Sequence, residues 1–170
     1  MKHIIIGITL LASQTSLATD GVFSKLNLNE PACYGREYGA DYLKSHDKQT
    51  VQKIQSKFVR SKRTDSKYET RIMEVEVTLK GKKHEFKNYR GFFLCNEEDN
   101  YCGIECDGGR VQVSLNKSGN LILENKGFVI EGGCGNEEKT LFLEALAGGD
   151  DKFEMVPLPK AFCQRTSELN

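Results

Sequence analysis

The chain has 170 residues, 24 Lys/Arg against 24 Asp/Glu, six Cys and no Trp. That length suits one domain with a real core, and the balanced charge argues against a chain built throughout as a polycation for nucleic acid. The balance is uneven along the chain: residues 19–90 carry 16 basic and 10 acidic side chains, and residues 91–170 carry 7 and 14. Such halves can pair within one fold.

The first 18 residues read as a secretory signal peptide. Met1-Lys2-His3 is a short basic start, Ile4 to Ala12 is apolar, and Ser13 to Ala18 is polar, with Ser16 and Ala18 where a signal peptidase reads. The apolar run is too short for a membrane span, which needs about 20 residues. Cleavage is expected after Ala18, with the mature chain secreted or periplasmic and without a transmembrane segment. No Cys follows the cleavage site, so a lipid anchor is not expected. Residues 19–32 read as a leader that orders on contact, and residues 33–170 as a single β-rich domain.

Glu37 to His46 (EYGADYLKSH) reads as a short helix with Tyr38, Tyr42 and Leu43 on one face, weakened by Gly39. Val51 to Arg60 fits either period and is assigned to strand by its β-rich context. Met73, Val75, Val77 and Leu79 alternate with Glu74, Glu76 and Thr78, the pattern of a half-buried strand. A turn at Gly81 leads to a strand over His84 to Cys95. Val111, Val113 and Leu115 alternate next, and the Asn116 to Asn120 loop turns into Leu121 to Glu124 and Gly127 to Glu131. Thr140 to Leu146 and Phe153 to Val156 complete seven to nine short strands. Hairpin neighbours are antiparallel, and so many strands protect their edges best as an up-and-down barrel, preferred here, or as a sandwich.

The segment CGIECDGGR, residues 102–110, raises the question of what its cysteines do. A zinc site would need two more close ligands, which Cys134, Cys163, His46 and His84 do not supply by spacing. A catalytic thiol would need a base, and His84 offers one only through the fold. An even number of Cys in an exported chain points to disulfides. On a strand, Cys102 and Cys106 would lie about 13 Å apart, beyond the roughly 7 Å limit of a bridge. Cys95 and Cys102 flank a polar hairpin loop (NEEDNY), which makes them natural partners. Cys106 is then assigned to Cys134, and Cys33 to Cys163. Asp107-Gly108-Gly109 reads as a turn.

Lys57 to Lys67 (KFVRSKRTDSK) holds Lys57, Arg60, Lys62, Arg63 and Lys67, the most basic stretch. It reads as a protruding loop, either solvated or meeting an anionic partner surface. Gly148-Gly149-Asp150-Asp151 lacks the ligand spacing of a calcium loop and reads as a turn. The Asn116-Lys117-Ser118 sequon is read as incidental. Glu74 and Glu76 share one strand face, an arrangement that can serve glycoside hydrolysis, but their place in a regular alternation reads as a solvated face. No Ser-His-Asp set is visible.

An early Cys before a Tyr-containing helix, the CGIECDGGR segment and the end GGDDKFEMVPLPKAFC together resemble small, uncharacterised secreted bacterial proteins. The likeness runs from about Cys33 to Cys163. It implies export and a common fold, and it transfers no site. The expectation is therefore a non-enzymatic exported binding protein, an effector or inhibitor with a protein partner, needing no cofactor, no metal and no nucleic acid. The alternatives are a lipocalin-like carrier of a small apolar ligand and a hydrolase using acidic residues.

Overall fold

The computed structural model describes residues 21–62, 64–81, 89–96, 98, 100–105, 107–130, 141–145 and 147–165. Among them are nine strands: β1 (Ala32–Glu37), β2 (Val51–Lys62), β3 (Glu69–Leu79), β4 (Tyr89–Cys95), β5 (Tyr101–Gly103), β6 (Gly109–Leu115), β7 (Leu121–Ile130), β8 (Leu141–Leu143) and β9 (Lys152–Pro157). Two short helices, α1 (Ala40–Ser45) and α2 (Lys160–Arg165), accompany them.

The chain runs up and down from β1 to β7, each strand antiparallel to the last, and β9 then inserts between β7 and β1. Eight strands thus close into a barrel, the preferred of the two expected architectures. Strand β8 lies outside the ring. It pairs with the Phe128–Ile130 end of β7, while β9 pairs with the Leu121–Glu124 end.

The period of two decides what fills the barrel. Ile54 and Phe58 of β2, Met73, Val75 and Val77 of β3, and Phe93 of β4 all turn inward and are at most 1 % exposed. Phe128 and Phe153 arrive from the far side, and the Phe93 and Phe128 rings meet edge to face at 5.3 Å. Edge-to-face contact is the favoured aromatic geometry. The interior is therefore a packed core. Residues before Cys33 join it: Val22 and Phe23 are buried, and the Phe23 ring meets Phe58 at 5.5 Å.

Several boundaries differ from expectation for local reasons. The predicted helix over Glu37 to His46 begins only at Ala40, because residues through Glu37 pair with β2 and Gly39 sits in extended backbone at the helix N-cap. Tyr42 is half exposed, and Leu43 is the buried residue of α1. The basic stretch is not one loop: through Lys62 it is strand, paired in register with β3. Strand β5 holds Cys102 and ends at Gly103, and Cys106 lies outside the described residues. Of the strand expected over His84 to Cys95, residues 84–88 lie outside the described residues, and the rest is β4. The two segments expected after the Asn116 loop are one strand, β7; of the strand expected over Thr140 to Leu146, Leu141–Leu143 form β8, 144 and 145 are not strand, and 140 and 146 lie outside the described residues. Neither β1 nor α2 is anticipated by local pattern. The expected signal peptide lies outside the described residues.

Candidate functional site

On the outer face of β1–β4 the register builds a grid. One row runs Cys33–Lys57–Glu74–Phe92, the row on one side runs Gly35–Gln55–Glu76–Arg90, and the row on the other runs Val59–Ile72–Leu94. This face would be open to water but for the end of the chain. After β9, the Leu158 N–H donates to the Cys33 carbonyl at 2.8 Å, and α2 folds back over β1, with Phe162 beside the outer face of β2 and β3. Gly35 lets it come close: a Cβ there would lie 2.8 Å from a Leu158 methyl group. Cys163 on α2 is joined to Cys33 on β1, with Cα atoms 5.6 Å apart.

Beneath this cover lies a narrow cleft with about 290 Å³ of empty space, open solvent included. Glu74, Glu76, Lys57 and Gln55 supply its polar lining, and Leu158 and Phe162 its apolar wall. Glu74 is only 9 % exposed, and its Oε1 is buried with no hydrogen-bond partner. Burial pushes its carboxyl above the ordinary glutamate range, opposed by the positive charges of Arg90 and Lys57 and reinforced by Glu76. Arg90 is drawn instead to Glu76, at 3.4 Å. The expectation of a solvated Glu74–Glu76 face is thus corrected: the alternation is right, but Glu74 is buried in the cleft walled by Leu158 and Phe162.

Exposed apolar side chains stand in the cleft wall, at Phe162, and on the neighbouring outer face of β4. Phe92 is 53 % exposed, Leu94 51 % and Phe162 44 %. Phe92 and Leu94 project outward from β4 beside Glu74 and Ile72 respectively. A buried carboxylate oxygen without a donor, flanked by exposed aromatic rings, is the most distinctive chemistry among the described residues.

The predicted basic residues fall in different places. Lys57 is on the outer face, in register with Glu74. Arg60 has the parity of the inward Phe58, at the end of the barrel, where its guanidinium donates to both Glu69 carboxylate oxygens at 2.6 and 3.1 Å. That pair holds the Glu69 carboxyl below its usual range, with the hydrogen bond the leading cause. Lys62 is exposed at the end of β2, and Lys67 lies in the following connection, 5.0 Å from the Tyr68 ring. Arg63 lies outside the described residues.

The second disulfide joins Cys95 and Cys102, directly opposed on β4 and β5. The expected Cys106–Cys134 pair and His84 lie outside the described residues. Among the described residues, no three His, Cys, Asp or Glu side chains gather as a metal cluster. His46 stacks on the Tyr42 ring at 3.8 Å.

Two glycine motifs resolve into structure. Gly109, at φ 87°, and Gly127 meet at the irregularity between β6 and β7, where a Cβ on Gly109 would collide with the Gly127 carbonyl. In the 148–151 turn, a Cβ on Gly149 would lie 2.5 Å from the Lys48 carbonyl oxygen. That approach brings Asp150 to the start of β2. Its Oδ1 accepts from Gln49 Nε2 at 2.7 Å and from the Val51 N–H at 3.1 Å. Its Oδ2 accepts from the Thr50 N–H at 2.9 Å and from the Thr50 hydroxyl.

Sequence reasoning missed α2, and with it the burial of Glu74. The available signal was Pro159 at a helix start followed by the apolar Phe162 and Cys163, with Leu158 just before it. Comparison with protein-family models, with curated proteins and with solved structures finds no match to this chain.

Proposed function

We propose that the protein is an exported, non-enzymatic binding protein that docks a protein partner on the outer face of β2–β4 and α2. The observation that carries this reading is the exposure of Phe92 and Leu94 on the outer face of β4, with Phe92 in register with Glu74, beside the cleft walled by the exposed Phe162. Protein interfaces concentrate their energy in aromatic anchors at a desolvated centre. The scaffold behind them is rigid: the Cys33–Cys163 bridge pins α2, and the Cys95–Cys102 bridge pins β4 to β5. Disulfides of this kind suit an oxidising compartment, which supports export. Among the described residues, no helix is long and apolar enough to cross a membrane.

A carrier of a small apolar ligand would use a hollow barrel, and the interior filled by Phe58, Phe93, Phe128 and Phe153 weighs against it. A hydrolase would use Glu74 and Glu76, yet Glu76 is engaged by Arg90 and the cleft is too narrow for a sugar ring.

The test uses immobilised protein and fluid from the compartment into which the chain is exported. Wild type is compared with the double variant Phe92→Ser/Leu94→Ser and with Phe142→Ser, which alters an exposed ring on the opposite side of the barrel. A stoichiometric partner retained by wild type and by Phe142→Ser, and lost about tenfold or more on the double variant, supports the reading. Equal retention by all three overturns it.

A further inference from the structure

We infer that the cleft beneath α2 is a recognition site for a primary ammonium group, the Nζ of a lysine on the protein partner, with Glu74 as its counter-ion. This rests on the docking reading above and names what the docked surface must bring.

Charge is the first ground. Glu74 is more than nine-tenths buried, and its Oε1 has no donor. A carboxylate in that state is costly unless a cation or donor meets it. Among the described residues no cation forms an ion pair with it, although the charges of Arg90 and Lys57 act on it. Arg90 lies on Glu76, and although Lys57 faces Glu74 across the strand pair, no ion pair joins them. In a site with little water, the pull on an entering cation is stronger than on an open surface.

Size is the second ground. The recess under α2 has room for about one water-sized group. An ammonium is that size; a planar guanidinium and a quaternary ammonium are larger. Its three N–H donors find acceptors in the carboxylates of Glu74 and Glu76 and the side-chain amide oxygen of Gln55, all of which line the cleft. The apolar wall of Leu158 and Phe162 suits the methylene stem of a lysine, which packs on apolar surface while its head stays polar. The exposed ring of Phe92, in register with Glu74, gives the flanking residues of the partner an apolar shelf. A lysine on a protein surface brings stem, head and flanking chain together, whereas a free amine brings only the first two.

The test needs no partner. The probe is n-butylammonium chloride, titrated into the intact, oxidised protein and followed by backbone amide NMR. The controls are n-butanol, which lacks the charge, and tetramethylammonium, which lacks the donors and the size. The expected result is saturable shifts at Gln55, Lys57, Glu74, Glu76 and Phe162 with n-butylammonium and with neither control. Glu74→Gln, which keeps the shape of the side chain, should weaken the effect about tenfold. Lys57→Met, which keeps the stem and removes the competing charge, should strengthen it about threefold. Opposite responses in two folded variants separate a site from general charge screening. No saturable shift, equal shifts with tetramethylammonium, or an unchanged response in Glu74→Gln would overturn the assignment. That failure would leave partner capture through Phe92 and Leu94 standing, and loss of partner capture would leave the ammonium titration readable on its own.

Discussion

Asp150 and Glu74 are both carboxylates taken out of water, at 1 % and 9 % exposure, and they are treated in opposite ways. Asp150 receives four donors from three consecutive residues, Gln49, Thr50 and Val51, and so fastens the 148–151 turn to the start of β2. Glu74 has an oxygen that receives none, and it lies under a helix at the edge of a cleft. A buried anion saturated with donors belongs to the fold. A buried anion left short of them, beside exposed aromatic rings, has chemistry to offer something else. The neighbours decide this, and the residue type does not.

The largest expected effect falls on the saturated member. Asp150→Ala orphans the Gln49, Thr50 and Val51 donors together and should cost about 3–5 kcal/mol, read as a lower urea midpoint. A loss below about 1 kcal/mol would break the comparison at once.

Removing the cover over Glu74 comes next. Replacing Cys33 and Cys163 by Ser opens a link across 130 residues, whereas Cys95 and Cys102 are only 7 apart. Chain entropy assigns the first about 5 kcal/mol and the second about 2 kcal/mol, with measured effects commonly smaller. Thermal melting of the two double variants should preserve that order. The first should also bring the Glu74 carboxyl back toward its ordinary pKa, since Phe162 of α2 walls the cleft that Glu74 lines, and side-chain carboxyl NMR reads that shift.

Phe162→Ala should uncover the cleft with a loss of about 1 kcal/mol or less, because the ring is already 44 % exposed. Its readout is faster hydrogen exchange in α2.

The smallest effect concerns pH. Burial raises Glu74, so the folded state holds that proton more tightly than the unfolded chain. Stability from this group is complete below the ordinary glutamate pKa and is lost as pH climbs through the raised value. Glu74→Gln cannot ionise and escapes that loss. Its stability relative to wild type should improve as pH climbs from the ordinary glutamate range through the raised value, in paired urea titrations. A difference that shrinks with rising pH would mean that Glu74 is stabilised as an anion.

Much of the barrel was legible because it rests on alternation. Met73, Val75 and Val77 read as inward and are inward; Val111, Val113 and Leu115 likewise. Cys95 and Cys102 were readable as a pair because a polar hairpin separates them, and they are opposed in register. The β1 strand was hidden because Ala32–Glu37 is short, holds Gly35 and shows the burial of its cover: Cys33 on its outer side is as dry as Tyr34 on its inner side. The candidate site was hidden for the same reason. Alternation tells which face of β3 carries Glu74, but whether that face meets water depends on a helix arriving from the far end of the chain. The same distance kept Asp150 from being read as the latch of Gln49, Thr50 and Val51.

The central claim is that Glu74 is held for a partner and Asp150 for the fold. The most direct measurement is urea unfolding of Glu74→Gln and Asp150→Asn side by side at neutral pH. Each substitution keeps shape and removes charge. The account predicts that Glu74→Gln unfolds at the wild-type midpoint or above it, while Asp150→Asn, with an amide group facing donors, falls well below. Equal losses in the two variants would contradict it, making Glu74 a second structural anion.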